Sequence, residues 1–166
     1  MKWINGIGIS IGLIFLQVFL IDKLPFLGFC HPFIYIYLLL LMPIQWPRWL
    51  QTIGGAALGL VMDMFANSPG VHMAACVLFS YMRPLLLQHA VQDSSRLNGA
   101  ITLDSVGEGT FLRLTALLVT AHHLILFMLD AFTFHRFWMT IILTILSAVI
   151  SYGLILMAEF LRKANE

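Results

Sequence analysis

Charge is what this chain is short of. Its 166 residues include nine Lys and Arg and eight Asp and Glu, 10% in all, where a soluble domain carries about a quarter. So few charges cannot cover a water-facing surface. The 60% hydrophobic content and mean hydropathy of +0.92 mean that lipid must cover it instead. The net charge of +1 leaves no basic face for a nucleic-acid partner. Cysteine is scarce as well: Cys30 and Cys76 form no disulfide framework and no metal-ligand spacing, and read as small apolar fillers. No P-loop, dinucleotide fingerprint, paired-aspartate motif, internal repeat or low-complexity tract occurs. Gly8-Ile9-Ser10-Ile11-Gly12 spells the GxSxG string of serine hydrolases. That motif needs a strand-to-helix elbow, and here it lies inside an apolar run, so the match is chance.

What is present is a series of apolar runs. About 20 apolar residues are needed to cross a hydrocarbon core. The runs predict six transmembrane helices in a single all-α domain, at residues 3–21, 32–44, 50–66, 71–87, 110–129 and 137–161. The first is too long for a signal-peptide core and has no small-residue cleavage site after it, so it reads as an anchor. The second is short; Pro32 suits its first turn, and residues 26–30 read as an interfacial or re-entrant piece before it. Gln45-Trp46-Pro47-Arg48-Trp49 ends it with two tryptophans about an arginine, as at a membrane interface.

Sidedness follows from the cations. With the N-terminus inside, Lys2, Arg48, Arg83, Arg96, Arg113, Arg162 and Lys163 fall on the cytoplasmic side, and only Lys23 and Arg136 fall outside. That bias places both termini in the cytoplasm of a multi-pass inner-membrane protein. The long connection, residues 88–109, reads as a flexible polar loop or, more sharply, a docking site for a cytoplasmic partner. Within it Ser105 and Glu108 have capping-box spacing, with Thr110 an alternative N-cap for the next helix.

The stretch that organises the chain is residues 49–73. It starts as a glycine-spaced apolar helix, carries Asp63, breaks at Asn67-Ser68-Pro69-Gly70 and resumes as an apolar run. Gly55 and Gly59, like Gly8 and Gly12 or Ser147 and Ser151, are small residues four apart that let backbones approach. For the first and third helices the expectation is packing inside the bundle. Asp63 follows Gly59 by one turn. A carboxylate in hydrocarbon needs a partner or water, so it is either an interaction or proton-linked site, or a structural group that caps the nearby turn or holds a neighbouring helix. His122, His123 and Asp130 stand out in the fifth helix. His123 and Asp130 share a face, but adjacent histidines diverge and no HExxH completes a metal face, so no metal is expected. Polar contacts inside the bundle, or an outer-face contact for Asp130, fit better. His31 and His72 read as interfacial. Arg83 before Pro84 either snorkels to the headgroups or pins the helix end.

Gly59-Leu60-Val61-Met62-Asp63, Pro69-Gly70-Val71-His72, Tyr81-Met82-Arg83-Pro84, His122-His123-Leu124 and Leu129-Asp130-Ala131-Phe132 together resemble the MreD family of rod shape-determining membrane proteins, in particular those of Bacteroidota-like lineages. The resemblance spans nearly the whole chain and is looser at the second helix and the 88–109 loop. It implies a fold similar to the substrate-binding subunits of energy-coupling-factor transporters, and a non-enzymatic role without a cofactor. Implied partners are an MreC-like bitopic protein, RodA with its class B penicillin-binding protein, and indirectly MreB filaments. Gly59, Asp63, Pro69, Gly70, Arg83, His122, His123 and Asp130 are the partner-binding or structural candidates. The competing expectation is a small-ligand-binding transporter subunit, whose pocket of roughly 300–1,000 Å³ would need convergent polar groups. An intramembrane hydrolase ranks last, because no nucleophile–base pair has a motif spacing.

Overall fold

The computed structural model describes residues 2–23, 30–91, 99–131 and 137–164, and among them there are helices and no strands. Helix α1 (Lys2–Phe15) runs on through a π turn at Leu16–Leu20 and a 3-10 turn at Ile21–Lys23. Then come α2 (Ile36–Leu41), α3 (Arg48–Ala66), α4 (Val71–Ala90), α5 (Leu103–Val106), α6 (Glu108–Ala131) and α7 (Phe137–Ala164). Three of these, α3, α6 and α7, are long and apolar enough to cross a membrane. The long helices pack in chain order, α3 on α4, α4 on α6 and α6 on α7.

Their polarity is inverted relative to a soluble bundle. On α7 the buried stripe is Thr140, Thr144, Ser147, Ala148, Ser151, Ile155 and Glu159, while Trp138, Ile142, Val149 and Phe160 face outward. On α3 the buried positions include Gln51, Gly55, Gly59 and Asp63, while Ile53, Leu60 and Met64 are exposed. Water would not tolerate that arrangement, because polar groups are inside and large apolar groups outside. A lipid solvent requires it, since polar contacts then hold helices together where the hydrophobic effect cannot. The chain is therefore an all-helical, membrane-embedded protein.

The centre is the second apolar run, and here the expectation changes. Only Ile36–Leu41 is helical; Pro32 lies before it in non-helical backbone rather than in a first helical turn. Residues 33–40 are all buried, so the helix is apolar on every face because every face is covered. Non-helical backbone at this depth survives only where protein satisfies its polar groups, and neighbouring side chains do so here. The interfacial piece expected at residues 26–30 lies largely outside the described residues.

Three other expectations are corrected. Residues 99–107 are not a free loop: Ile101 and Leu103 are buried, and Ile101 N donates to Leu40 O at 3.0 Å. Residues 92–98 of that connection lie outside the described residues. The capping box joins Thr102 and Ser105 at the start of α5, so Ser105 closes a cap instead of opening one, and α6 begins at Glu108 without Thr110 as its cap. Finally, the Gly8–Gly12 face of α1 is open among the described residues, with none of their atoms within 4 Å of a Cβ added at either glycine. The inward packing expected of small residues holds for α3 and fails for α1.

Candidate functional site

The Asp63 hairpin is built by its own backbone. Asn67 takes a left-handed conformation that stops α3, and its N–H donates to Asp63 O. Pro69 and Gly70 complete the turn, and α4 starts at Val71. Because α3 and α4 then run side by side, the Asp63 side chain points at the first turn of α4, whose amides have no intrahelical partner. Its Oδ1 accepts from His72 N at 2.9 Å and Ser68 Oγ at 3.0 Å; its Oδ2 accepts from Met73 N at 3.0 Å and Gly70 N at 3.1 Å. The carboxyl group therefore sits at the N-terminal end of α4 and fills the acceptor positions that its first-turn amides need. It is buried and presents nothing to a partner directly. Close approach makes this possible: a Cβ at Gly59 would come within 2.7 Å of His72 O, and one at Gly55 within 2.8 Å of Cys76 O.

His72 is drawn into the same cluster and is buried, not interfacial. Its Nδ1 lies 2.8 Å from Ser68 Oγ and 3.2 Å from Asp63 Oδ1. Serine and aspartate thus meet the same ring nitrogen. A hydrolytic relay needs the imidazole between them, one nitrogen for each, so the three residues do not form one.

A second set of side chains holds the interrupted segment. Gln17, in the π turn, donates to Pro32 O at 3.1 Å and to Asp22 at 2.6 Å, and accepts from Ile34 N at 2.7 Å. Ser147 accepts from His31 N at 3.0 Å, and Ser151 accepts from Phe33 N at 2.8 Å. Ser151 in turn donates to His123 Nε2 at 3.0 Å, because His123 Nδ1 is 2.9 Å from the Val119 carbonyl and must carry the proton. His122 diverges from its neighbour and shares a 2.8 Å hydrogen bond with the Tyr35 hydroxyl. The rings of Phe33, Tyr35, His72, His122 and His123 pack together edge-on and tilted. Among the described residues no group of three or more His, Cys, Asp and Glu could hold a metal.

At the other end of α2 stands Arg83. It is 1% exposed and does not snorkel. Its Nη1 donates to Gln51 Oε1 at 2.7 Å, and its Nη2 to the carbonyls of Leu40 at 3.0 Å and Met42 at 2.5 Å. The guanidinium thus caps the C-terminus of α2, where a cation is favoured by the unpaired carbonyls. Gln51 completes the joint by donating to Trp46 O at 2.8 Å. Near this end Glu159 of α7, fully buried, accepts from Tyr37 Oη at 2.5 Å, Leu103 N at 2.8 Å and Arg162 Nη2 at 2.8 Å.

The structure therefore groups Gly59, Asp63, Pro69 and Gly70 in one hairpin and places Arg83, His122 and His123 around α2. Asp130 stands apart, exposed at the end of α6 although His123, two turns back, is buried. Sequence reasoning missed Gln17, Gln51, Tyr35, Tyr37 and Glu159, and treated Ser147 and Ser151 as merely small. The signal was available for Glu159 and Gln17, each a lone polar residue inside an apolar run like Asp63. The tyrosines gave none, since an aromatic in such a run reads equally as a lipid contact.

These features define a membrane-embedded helical protein whose buried polar side chains tie an interrupted helix into its centre. Comparison with known protein families, curated proteins and solved structures finds no match.

Proposed function

We propose that this protein is a non-enzymatic scaffold of the bacterial cell-elongation machinery, similar to MreD, with six spans and both termini in the cytoplasm. The observation that carries this reading is the use of the distinctive polar residues. Asp63, Arg83, His122 and His123 all satisfy backbone or side-chain groups within the bundle. What the molecule offers outward is an apolar perimeter with an exposed carboxylate, Asp130, at one end. Such a surface suits association with other membrane helices more than the capture of a polar small molecule. In this reading the turn at Pro69 and Gly70, the neighbouring exposed Met64 and Phe65, and Asp130 form the periplasmic face that meets an MreC-like bitopic protein. RodA and its penicillin-binding protein would join the same assembly.

Affinity purification from native membranes in mild detergent, with mass spectrometry of what is retained, tests the proposal. The expected result is recovery of a bitopic shape-determination protein with wall synthases, weakened by Asp130→Ala. Recovery of paired ATPases with a coupling membrane subunit overturns it in favour of the transporter reading.

A further inference from the structure

Helices α6 and α7 do not close completely on their outer side. Between them lies a groove of about 150 Å³, lined by Ala116 and Thr120 of α6 and by Ile145, Ala148, Val149 and Tyr152 of α7. Its floor is the small pair, Ala148 buried and Ala116 partly so, and its rim includes the exposed Ile145 and Val149. Small residues on neighbouring membrane helices ordinarily let the backbones close up; here they leave a hollow. A cavity of that size holds a hydrocarbon about as large as benzene, and left empty it would forfeit dispersion contacts along its walls. On a lipid-facing surface, what reaches it is an acyl chain.

One end of the groove carries a cation. Arg113, Ala116 and Thr120 lie at i, i+3 and i+7, one stripe along α6. Arg113 is exposed, and among the described residues its guanidinium has no hydrogen-bond or ion-pair partner. The neighbouring uses of arginine differ: Arg48 bonds Gln88, Arg83 caps α2, and Arg162 pairs with Asp104 and Glu159. Tyr152 closes the same end from α7, its hydroxyl 3.4 Å from the carbonyl of Leu112, next to Arg113. Helix α6 has 24 residues and starts at Glu108, so it is about 36 Å long and Arg113 lies about 8 Å from its start. That is close to the edge of a hydrocarbon core of about 30 Å. A helical side chain leans toward the N-terminus of its helix, which carries the guanidinium to headgroup level.

We propose that this groove binds one anionic phospholipid, with an acyl chain in the hollow and the headgroup phosphate on Arg113. Snorkelling alone would require only that the guanidinium reach the interface. The groove adds a seat for hydrocarbon on the same stripe, so tail and headgroup are both specified. A phospholipid joins an anion at the interface to a chain that runs inward, and that is the order of groups along Arg113, Ala116 and Thr120. This charge at the mouth favours a lipid over a second transmembrane helix as the occupant.

The test is native mass spectrometry of the whole protein, delipidated in mild detergent and titrated with phosphatidylglycerol, phosphatidylcholine or glycerol phosphate. One phosphatidylglycerol should be held more tightly than phosphatidylcholine, and glycerol phosphate, which has no chain, should not be held. Arg113→Gln should weaken phosphatidylglycerol about fivefold and abolish its advantage over phosphatidylcholine. Ala116→Leu fills the hollow and keeps the arginine, so it should weaken both lipids. Thr120→Leu does the same from an exposed position and guards against misfolding at position 116. Thermal unfolding in the same detergent is read for each variant; Arg113→Gln should match the unmodified protein. Phosphatidylglycerol held equally by Arg113→Gln would overturn the proposal. So would a loss in Arg113→Gln with both filling variants silent, because a headgroup contact without a groove would then account for it. A dimer that resists phosphatidylglycerol and is broken by the filling variants would also overturn it, making the groove a helix-packing surface.

Discussion

A methyl group at position 59 has nowhere to go. The atoms it would meet are main-chain atoms of α4 at His72 and Met73, which cannot rotate away as a side-chain tip can. Overpacking of this kind costs about 1–3 kcal/mol when neighbours can shift and more when they cannot. Gly59→Ala should therefore lower the thermal unfolding temperature in detergent markedly, whereas Gly12→Ala, facing open space, should leave it unchanged. Equal effects would mean that the α3–α4 contact is not the constraint. The two glycines look alike as small-xxx-small faces, and nothing local to the sequence separates them. Asp63 was legible as a buried acid needing a partner, and the Asn67–Gly70 break placed α4's amides within its reach. Arg83 was not legible, because the carbonyls that replace the expected headgroups belong to residues some forty positions away, at Leu40 and Met42.

At the scale of elements, apolar periodicity located α3, α4, α6 and α7 to within a few residues. It misjudged the second run, where hydropathy cannot distinguish a crossing helix from a buried, broken one. It also missed residues 99–107, a strap over the end of α2 ordered by two backbone bonds, the buried Ile101 and Leu103, and the distant Glu159 carboxylate. That strap should respond to acid. The hydrogen bond from Lys163, with Arg162 beside it, holds the Asp104 carboxyl below its ordinary 3.8. A carboxyl depressed on folding stabilises the strap above its unfolded value, and the contribution is lost as pH falls through its folded value. Pepsin cleavage within residues 99–107 should thus rise as the pH drops from about 5 to about 3. In Asp104→Asn cleavage should already be raised at the upper pH and change less on acidification. A variant matching the unmodified protein throughout would show that Asp104 does not help to hold the strap.

For the whole molecule, the proposed topology makes the orientation testable. Helix α3 has 19 residues and so is roughly 28 Å long, about one hydrocarbon thickness. In the proposed topology its two ends lie at opposite interfaces, with the Asn67–Gly70 turn at one and residues 99–107, beside the start of α6, at the other. In the proposed topology the strap shares the cytoplasmic side with Arg162 and Lys163, whose pairing with Asp104 fixes all three at one interface. Single cysteines at two exposed sites, Asn67→Cys and Glu108→Cys, report this with a membrane-impermeant maleimide. Intact spheroplasts should label position 67 alone, and inside-out vesicles position 108 alone. The reverse pattern would put the strap outside and remove the cytoplasmic partner from consideration. Labelling of both from one side would mean that α3 does not cross. Because the strap lies at one end and Asp130 at the other, the same experiment decides which side of the membrane each would face.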